Sequence, residues 1–164
     1  RTCELAAIEG YMHDIGNVIN RIDHAQSGAV MAFRILDKLG MEAAEIATVC
    51  SAIGNHDEST AFPVNAVAAA LILADKTDVR RSRVRNQAHA SFDIHDRVNY
   101  AVEKATTQLT EDRKAVVLSL TIDTEMSPVM DYFEIFLDRM LLCRKAAEKL
   151  NLAFKLVVNG QNVM

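Results

Sequence analysis

No run of residues in this chain is apolar for long enough to span a bilayer, and the residues present carry no signal-peptide pattern. A membrane-embedded role is therefore not expected. Positive charge is also in short supply: 18 Lys and Arg stand against 22 Asp and Glu, for a formal net charge of -4. A general nucleic-acid binder needs surplus cations to displace the counterions of a phosphate backbone, and this chain has none to offer. Cysteine is scarce and odd in number. Cys3, Cys50 and Cys143 lie far apart within apolar helical patterns. That excludes a disulfide framework or thiolate zinc site and implies buried thiols in a reducing, cytoplasmic setting. No internal repeat or low-complexity tract is present.

What is there is ordinary globular material. The 164 residues are 50% hydrophobic and 24% charged, enough for one domain, or one domain with a small appendage. The chain opens abruptly with Arg1-Thr2 inside a helical pattern, so a preceding segment is expected and the first helix is read as truncated.

Apolar spacing predicts helices over residues 2–13, about 23–39, 42–55 and 63–85. Asp23 is placed as the N-cap of the second, whose buried face is read as Ala29, Phe33 and Leu36, with Leu39 closing it and Gly40 stopping it. Ile46, Val49, Cys50 and Ile53 face inward from the third, and Val67, Leu71 and Ala74 from the fourth. Residues 1–87 thus read as a helical bundle. Residues 87–93 lack any apolar period and read as a linker. Residues 92–164 read as a small α+β subdomain. It holds a short helix at 94–100, a weak strand at 102–109, a turn at Thr110–Arg113, and a strand in which Val116, Leu118, Leu120 and Ile122 alternate with polar or smaller residues. Ser127 then caps, and Pro128 opens, a long helix to about residue 150, with Phe133, Phe136, Leu137, Met140 and Leu141 as its buried stripe. A last strand follows at 154–158. The expected fold is mostly α: a helical bundle followed by a β-β-α-β appendage.

The chemistry concentrates in the bundle. His13-Asp14 ends the first helix and is followed by Gly16, whose freedom would let the backbone unwind so that both side chains converge. His24 opens the second helix with Gly28 one turn on, where the missing side chain would admit a partner or ligand. His56 lies just past the third helix, beside Asp57. Asp75 follows seven apolar residues, Ala68 to Ala74, in mid-helix, where an unpaired charge would cost several kcal/mol of desolvation. Its partner must be a cation: an arginine such as Arg80, or a metal. Three histidines and two aspartates on successive helices favour a shared metal site. Five N/O ligands exceed what one zinc wants and suit two divalent ions, among which Fe, Mn, Ni, Zn and Mg are not distinguished. Lys76 and Arg80, read as one helical turn apart, are the candidate substrate-binding cations in a basic run that includes Arg81, Arg83 and Arg85. His89 and His95 read as ordinary surface residues.

The stretch Ala7-Ile8-Glu9-Gly10-Tyr11-Met12-His13-Asp14-Ile15-Gly16 resembles the signature of the HD-domain metal-dependent phosphohydrolases, and Ala74-Asp75-Lys76 resembles their distal aspartate context. His24 and His56 match the two extra histidines of the two-metal members. The resemblance covers residues 2–85. It implies His13, Asp14, His24, His56 and Asp75 as metal ligands, with Asp14 bridging and catalytic. It is incomplete: the family's first histidine has no counterpart upstream of His13, Asn17 stands where many members have lysine, and no Gly-Tyr-Pro follows His56. The expected activity is hydrolysis of a nucleotide-like phosphate ester or anhydride by metal-activated water. A di-iron oxygenase of the same type and a non-catalytic nucleotide-binding module are the alternatives. The expected partners are a phosphorylated small molecule and, through the sheet and long helix, a second copy in a homodimer.

Overall fold

The structure is a computed structural model that describes residues 1–84 and 93–164. Residues 85–92, which include Arg85, His89 and most of the linker expected at 87–93, lie outside the described residues. The chain is mostly helical with a small mixed sheet. It divides into two compact units, Arg1–Ala74 and Asp75–Met164, and each is described by itself.

In the first unit, α1 (Thr2–Met12) is followed by a 3-10 turn (Ile15–Val18), α2 (His24–Lys38), α3 (Ala43–Gly54) and α4 (Ala66–Lys76), whose last turn crosses into the second unit. The core joins Leu5 and Met12 of α1, Ala32 and Leu36 of α2, Ile46, Val49, Ala52 and Ile53 of α3, and Val67 and Ala68 of α4.

Sequence expectation and structure differ on α2. Asp23 precedes it in a left-handed conformation (φ 57) and makes no side-chain cap. Its buried face is Ala25, Gly28, Ala32 and Leu36, whereas Phe33 is 52% and Leu39 76% exposed. The face turned inward is the one with the smallest side chains, because two backbones must come close there. Gly40 (φ 78) does end the helix, in a Schellman arrangement where Met41 N–H reaches Leu36 O at 3.1 Å and Gly40 N–H reaches Asp37 O at 3.0 Å. The Glu42 carboxylate caps α3 through the N–H groups of Ala44 and Glu45.

Helix α4 is shorter than the 63–85 expected. Asn65 Oδ1 accepts from Ala68 N–H at 2.7 Å and starts it late. It stops at Lys76, after which Arg80 is extended (φ -165) and Arg81–Arg83 form a 3-10 turn. The Asp78 carboxylate gathers Arg80 at 2.7 Å and Arg83 at 3.1 Å, holding the chain in a local loop that apolar spacing does not reveal.

The second unit adds α5 (Ile94–Ala101), β1 (Val102–Leu109), β2 (Ala115–Ile122), α6 (Val129–Lys149), β3 (Ala153–Val158) and a short β4 (Gln161–Asn162). The sheet order is β1-β2-β3-β4. The β1-β2 pair is an antiparallel hairpin, α6 carries the chain across to β3 parallel to β2, and β4 folds back antiparallel on β3. Val116, Leu118, Leu120 and Ile122 are buried as their alternation demands. Ser127 does not cap α6: its hydroxyl donates to the Asp131 carboxylate at 3.2 Å, and Pro128 holds the N-cap position. The buried stripe of α6 is Tyr132, Phe136, Met140, Cys143 and Ala147, while Leu137 is exposed. Of the five residues expected there, Phe136 and Met140 are buried, Phe133 and Leu141 are half-buried and Leu137 is exposed.

Asn159 (φ 49) bridges β2 and the turn after β3, accepting from Ile122 N–H at 2.8 Å and donating to Ile122 O at 3.0 Å. Asn159→Ala should therefore lower unfolding free energy by about 1–3 kcal/mol in urea titration, from two lost main-chain bonds.

Candidate metal centre

The site is built at three helix ends of the first unit. Helix α1 finishes at Met12, His13 keeps helical angles (φ -53, ψ -37), and Asp14 turns the chain (φ -96, ψ 7). Asp14 itself occupies the bridge region of backbone space, and this single change of direction lets two neighbouring side chains aim together. The sequence suggested that Gly16 would supply the freedom. Its role is different: a Cβ there would stand 2.0 Å from His24 O and 2.6 Å from both Gly28 N and Ser27 Oγ. Gly28 answers from α2, where a Cβ would meet Gly16 N at 3.2 Å and His13 O at 3.4 Å. What approaches Gly28 is the chain's own His13–Gly16 turn.

That contact seats His13 and Asp14 against the first turn of α2, where His24 begins the helix. His56 arrives from the end of α3. Both are buried, at 2% and 1% exposure, contrary to an ordinary surface histidine in either place. His24 Nε2 lies 3.2 Å from His56 Nε2. Around Asp14, His24 Nε2 is 3.3 Å and His56 Nε2 3.8 Å from Oδ1, and His13 Nε2 is 3.6 Å from Oδ2. The His13 and His24 rings each stand edge-on to His56, with centroids 5.2 and 5.0 Å apart.

The three imidazoles share a local device. Nδ1 of each faces the main-chain carbonyl three residues earlier: His13 to Gly10 O (2.7 Å), His24 to Arg21 O (3.0 Å) and His56 to Ile53 O (2.6 Å). A carbonyl oxygen only accepts, so Nδ1 carries the proton in every case. Each Nε2 is then the nitrogen that faces inward, toward the other rings and the carboxylate.

The ligand atoms of Asp14, His24 and His56 all lie within 4.8 Å of one another. Asp75 falls in the last turn of α4, within the second unit, and pairs with Lys76 Nζ at 2.6 Å. Asp57 accepts from Ser59 Oγ at 2.8 Å.

The candidate substrate cations are placed otherwise than the sequence implied. Lys76 is buried and engaged by Asp75, and Arg80 is engaged by Asp78. The helical turn that would have set them side by side does not exist, because α4 ends between them.

Two residues escaped the sequence reading. Arg21 reaches the site from the loop before α2, with Nη1 3.3 Å from His24 Nε2 and 3.8 Å from Asp14 Oδ1. Nothing in its sequence context separates it from any loop arginine. Glu9 is wholly buried on α1 between Leu5 and Met12, one turn before His13, and neither carboxyl oxygen has a hydrogen-bond partner. Its signal was present: a carboxylate in step with the apolar period of α1. Burial pushes its pKa from 4.5 up to about 8.

Compared with protein-family models, with curated proteins and with solved structures, the chain matches none.

Gly16→Ala should cost at least about 2 kcal/mol of stability, since backbone on both sides must move, and should be visible as a lowered melting temperature. For Glu9, the folded state holds a proton that the unfolded chain releases, so stability falls as pH rises from 4.5 through about 8 and is flat above. Glu9→Gln should remove a slope of about 1.4 kcal/mol per pH unit in that window. It should leave the variant more stable than the parent at pH 8 and little changed at pH 4.5, as read by denaturant titration at each pH.

Proposed function

We propose that this protein is a metal-dependent phosphohydrolase acting on a nucleotide-like phosphate ester or anhydride. The observation that carries the reading is the convergence of three Nε2 atoms on one carboxylate, each with its Nδ1 committed to a carbonyl. Inward-facing nitrogen acceptors beside an anionic oxygen repel one another until a cation lies among them. An N/O donor set of this kind, with Asp14, His24 and His56 ligand atoms within 4.8 Å of one another, fits Fe, Mn, Ni, Zn or Mg. The resemblance of His13-Asp14, His24, His56 and Asp75 to the HD-domain ligand pattern supports the same reading and supplies the substrate class.

Divalent ions held there would supply Lewis acidity and a water acidified toward neutrality. The remaining chemistry belongs to the side chains. His24 and His56, buried on the inner side, exclude bulk water from that wall. Asp14, with 53% of its side chain exposed, is the member of the group that an incoming phosphoryl group would meet. Its carboxylate would help hold the ions and orient the attacking water, whose proton passes to solvent as the new P–O bond forms; the bond to the leaving oxygen breaks, and that oxygen takes up a proton from solvent. Gly10, Arg21 and Ile53 carbonyls keep the three imidazoles in orientation throughout.

The test begins with elemental analysis of the purified protein, followed by phosphate release from nucleotides and dinucleoside polyphosphates. Asp14→Ala and His24→Ala should each lose bound metal and reduce phosphate release by at least about 100-fold. Metal content unchanged in both variants would sink the proposal. Oxygen consumption without phosphate release would replace it with the di-iron oxygenase, and nucleotide binding without turnover with the regulatory module.

A further inference from the structure

We propose that Arg21 is the phosphoryl-binding residue of this site, an inference that rests on the hydrolase reading above. Its backbone is fixed to the centre, since Arg21 O accepts from Nδ1 of His24 at 3.0 Å. Its side chain is 71% exposed, so the guanidinium is reachable from solvent while rooted in the wall of the site. Three contacts hold the tip, and all are long: His24 Nε2 at 3.3 Å, Asn17 Oδ1 at 3.5 Å and Asp14 Oδ1 at 3.8 Å. Asn17 is itself oriented, its Nδ2 donating to Asp14 O at 3.1 Å so that Oδ1 turns toward Arg21.

This placement has two consequences. His24 Nε2 has one lone pair, which it gives either to Arg21 or to a metal ion. The guanidinium and the ion therefore compete for the same nitrogen and the same carboxylate. With those two atoms given to an ion, the guanidinium would keep Asn17 as its partner and would have its other N–H groups available beside the exposed Asp14. A planar fork of donors at that spot matches two oxygens of a tetrahedral phosphoryl group, in a way that a point charge does not. Of the other cations in this unit, Arg1 is held by Glu4 and Glu45, and Arg21 is the one in contact with Asp14 and His24.

The competition gives a signature that a merely structural role lacks. Calorimetric titrations of the full chain would use Mn2+ alone, then inorganic phosphate on the Mn2+-loaded protein. Arg21→Ala should bind Mn2+ as tightly as the parent or a few-fold tighter, because a rival cation is gone, and should bind phosphate at least about tenfold more weakly. Arg21→Lys should recover part of the phosphate affinity and less than all of it, having charge without the fork. Phosphate affinity unchanged in Arg21→Ala overturns the inference while leaving the hydrolase reading intact. Mn2+ and phosphate affinity falling together, with a lowered melting temperature, also overturns it by showing a structural role. Failure of the parent protein to bind Mn2+ removes the hydrolase reading itself, and this inference with it.

Discussion

The close passage of two backbones at Gly16 and Gly28 is the constraint on which the centre depends. A methyl group on Gly16 would lie 2.0 Å from a carbonyl oxygen, so the His13–Gly16 turn and the first turn of α2 fit together only if that position has no side chain. The contact sets the distance from His13 and Asp14 to His24. It also explains the composition of the inner face of α2, where Ala25, Gly28 and Ala32 precede Leu36. Larger residues of the same helix, Phe33 and Leu39, are left outside because the helix must lie close to the turn.

Around that contact the polar groups are satisfied locally. Each histidine gives its Nδ1 proton to a carbonyl of its own segment, so ring orientation does not depend on a distant partner. Tertiary packing then has only to bring three pre-oriented rings together. Glu9 is the contrary case. It lies in the core with no hydrogen-bond partner and keeps its proton to a higher pH than an exposed carboxyl would. The bundle thus carries a pH-dependent weakness one turn from His13, set by desolvation alone.

Legibility varied by the range of the interaction. The end of α2 was visible at Gly40 and that of α6 near residue 150, where Gly40 and Asn151 adopt left-handed conformations that close Schellman turns. The strand β2 was visible in its period of two, and β1 only as a weaker strand before it. Helix α4 was overextended, since Asn65 and the Asp78 arginine clamp act through side chains that apolar spacing does not weigh. The buried faces of α2 and α6 were misread toward their largest residues. Hydrophobic period locates a face but is indifferent to how closely a neighbour must approach it. Of the candidate ligands, His13, Asp14, His24 and His56 are brought together in the first unit, and Asp75 falls in the second. Arg21 was invisible because its relation to Asp14 arises only after a turn and a helix start have been folded against each other.

The sequence by itself determined which residues are the candidate ligands and where most elements begin and end, because caps, glycines and apolar periods act within a few residues of themselves. Which face of each helix is buried, which nitrogen of each imidazole points inward, and that a loop arginine shares the histidine's lone pair were decided only in three dimensions. Those outcomes follow from distances between segments far apart in the chain, and no local preference encodes them.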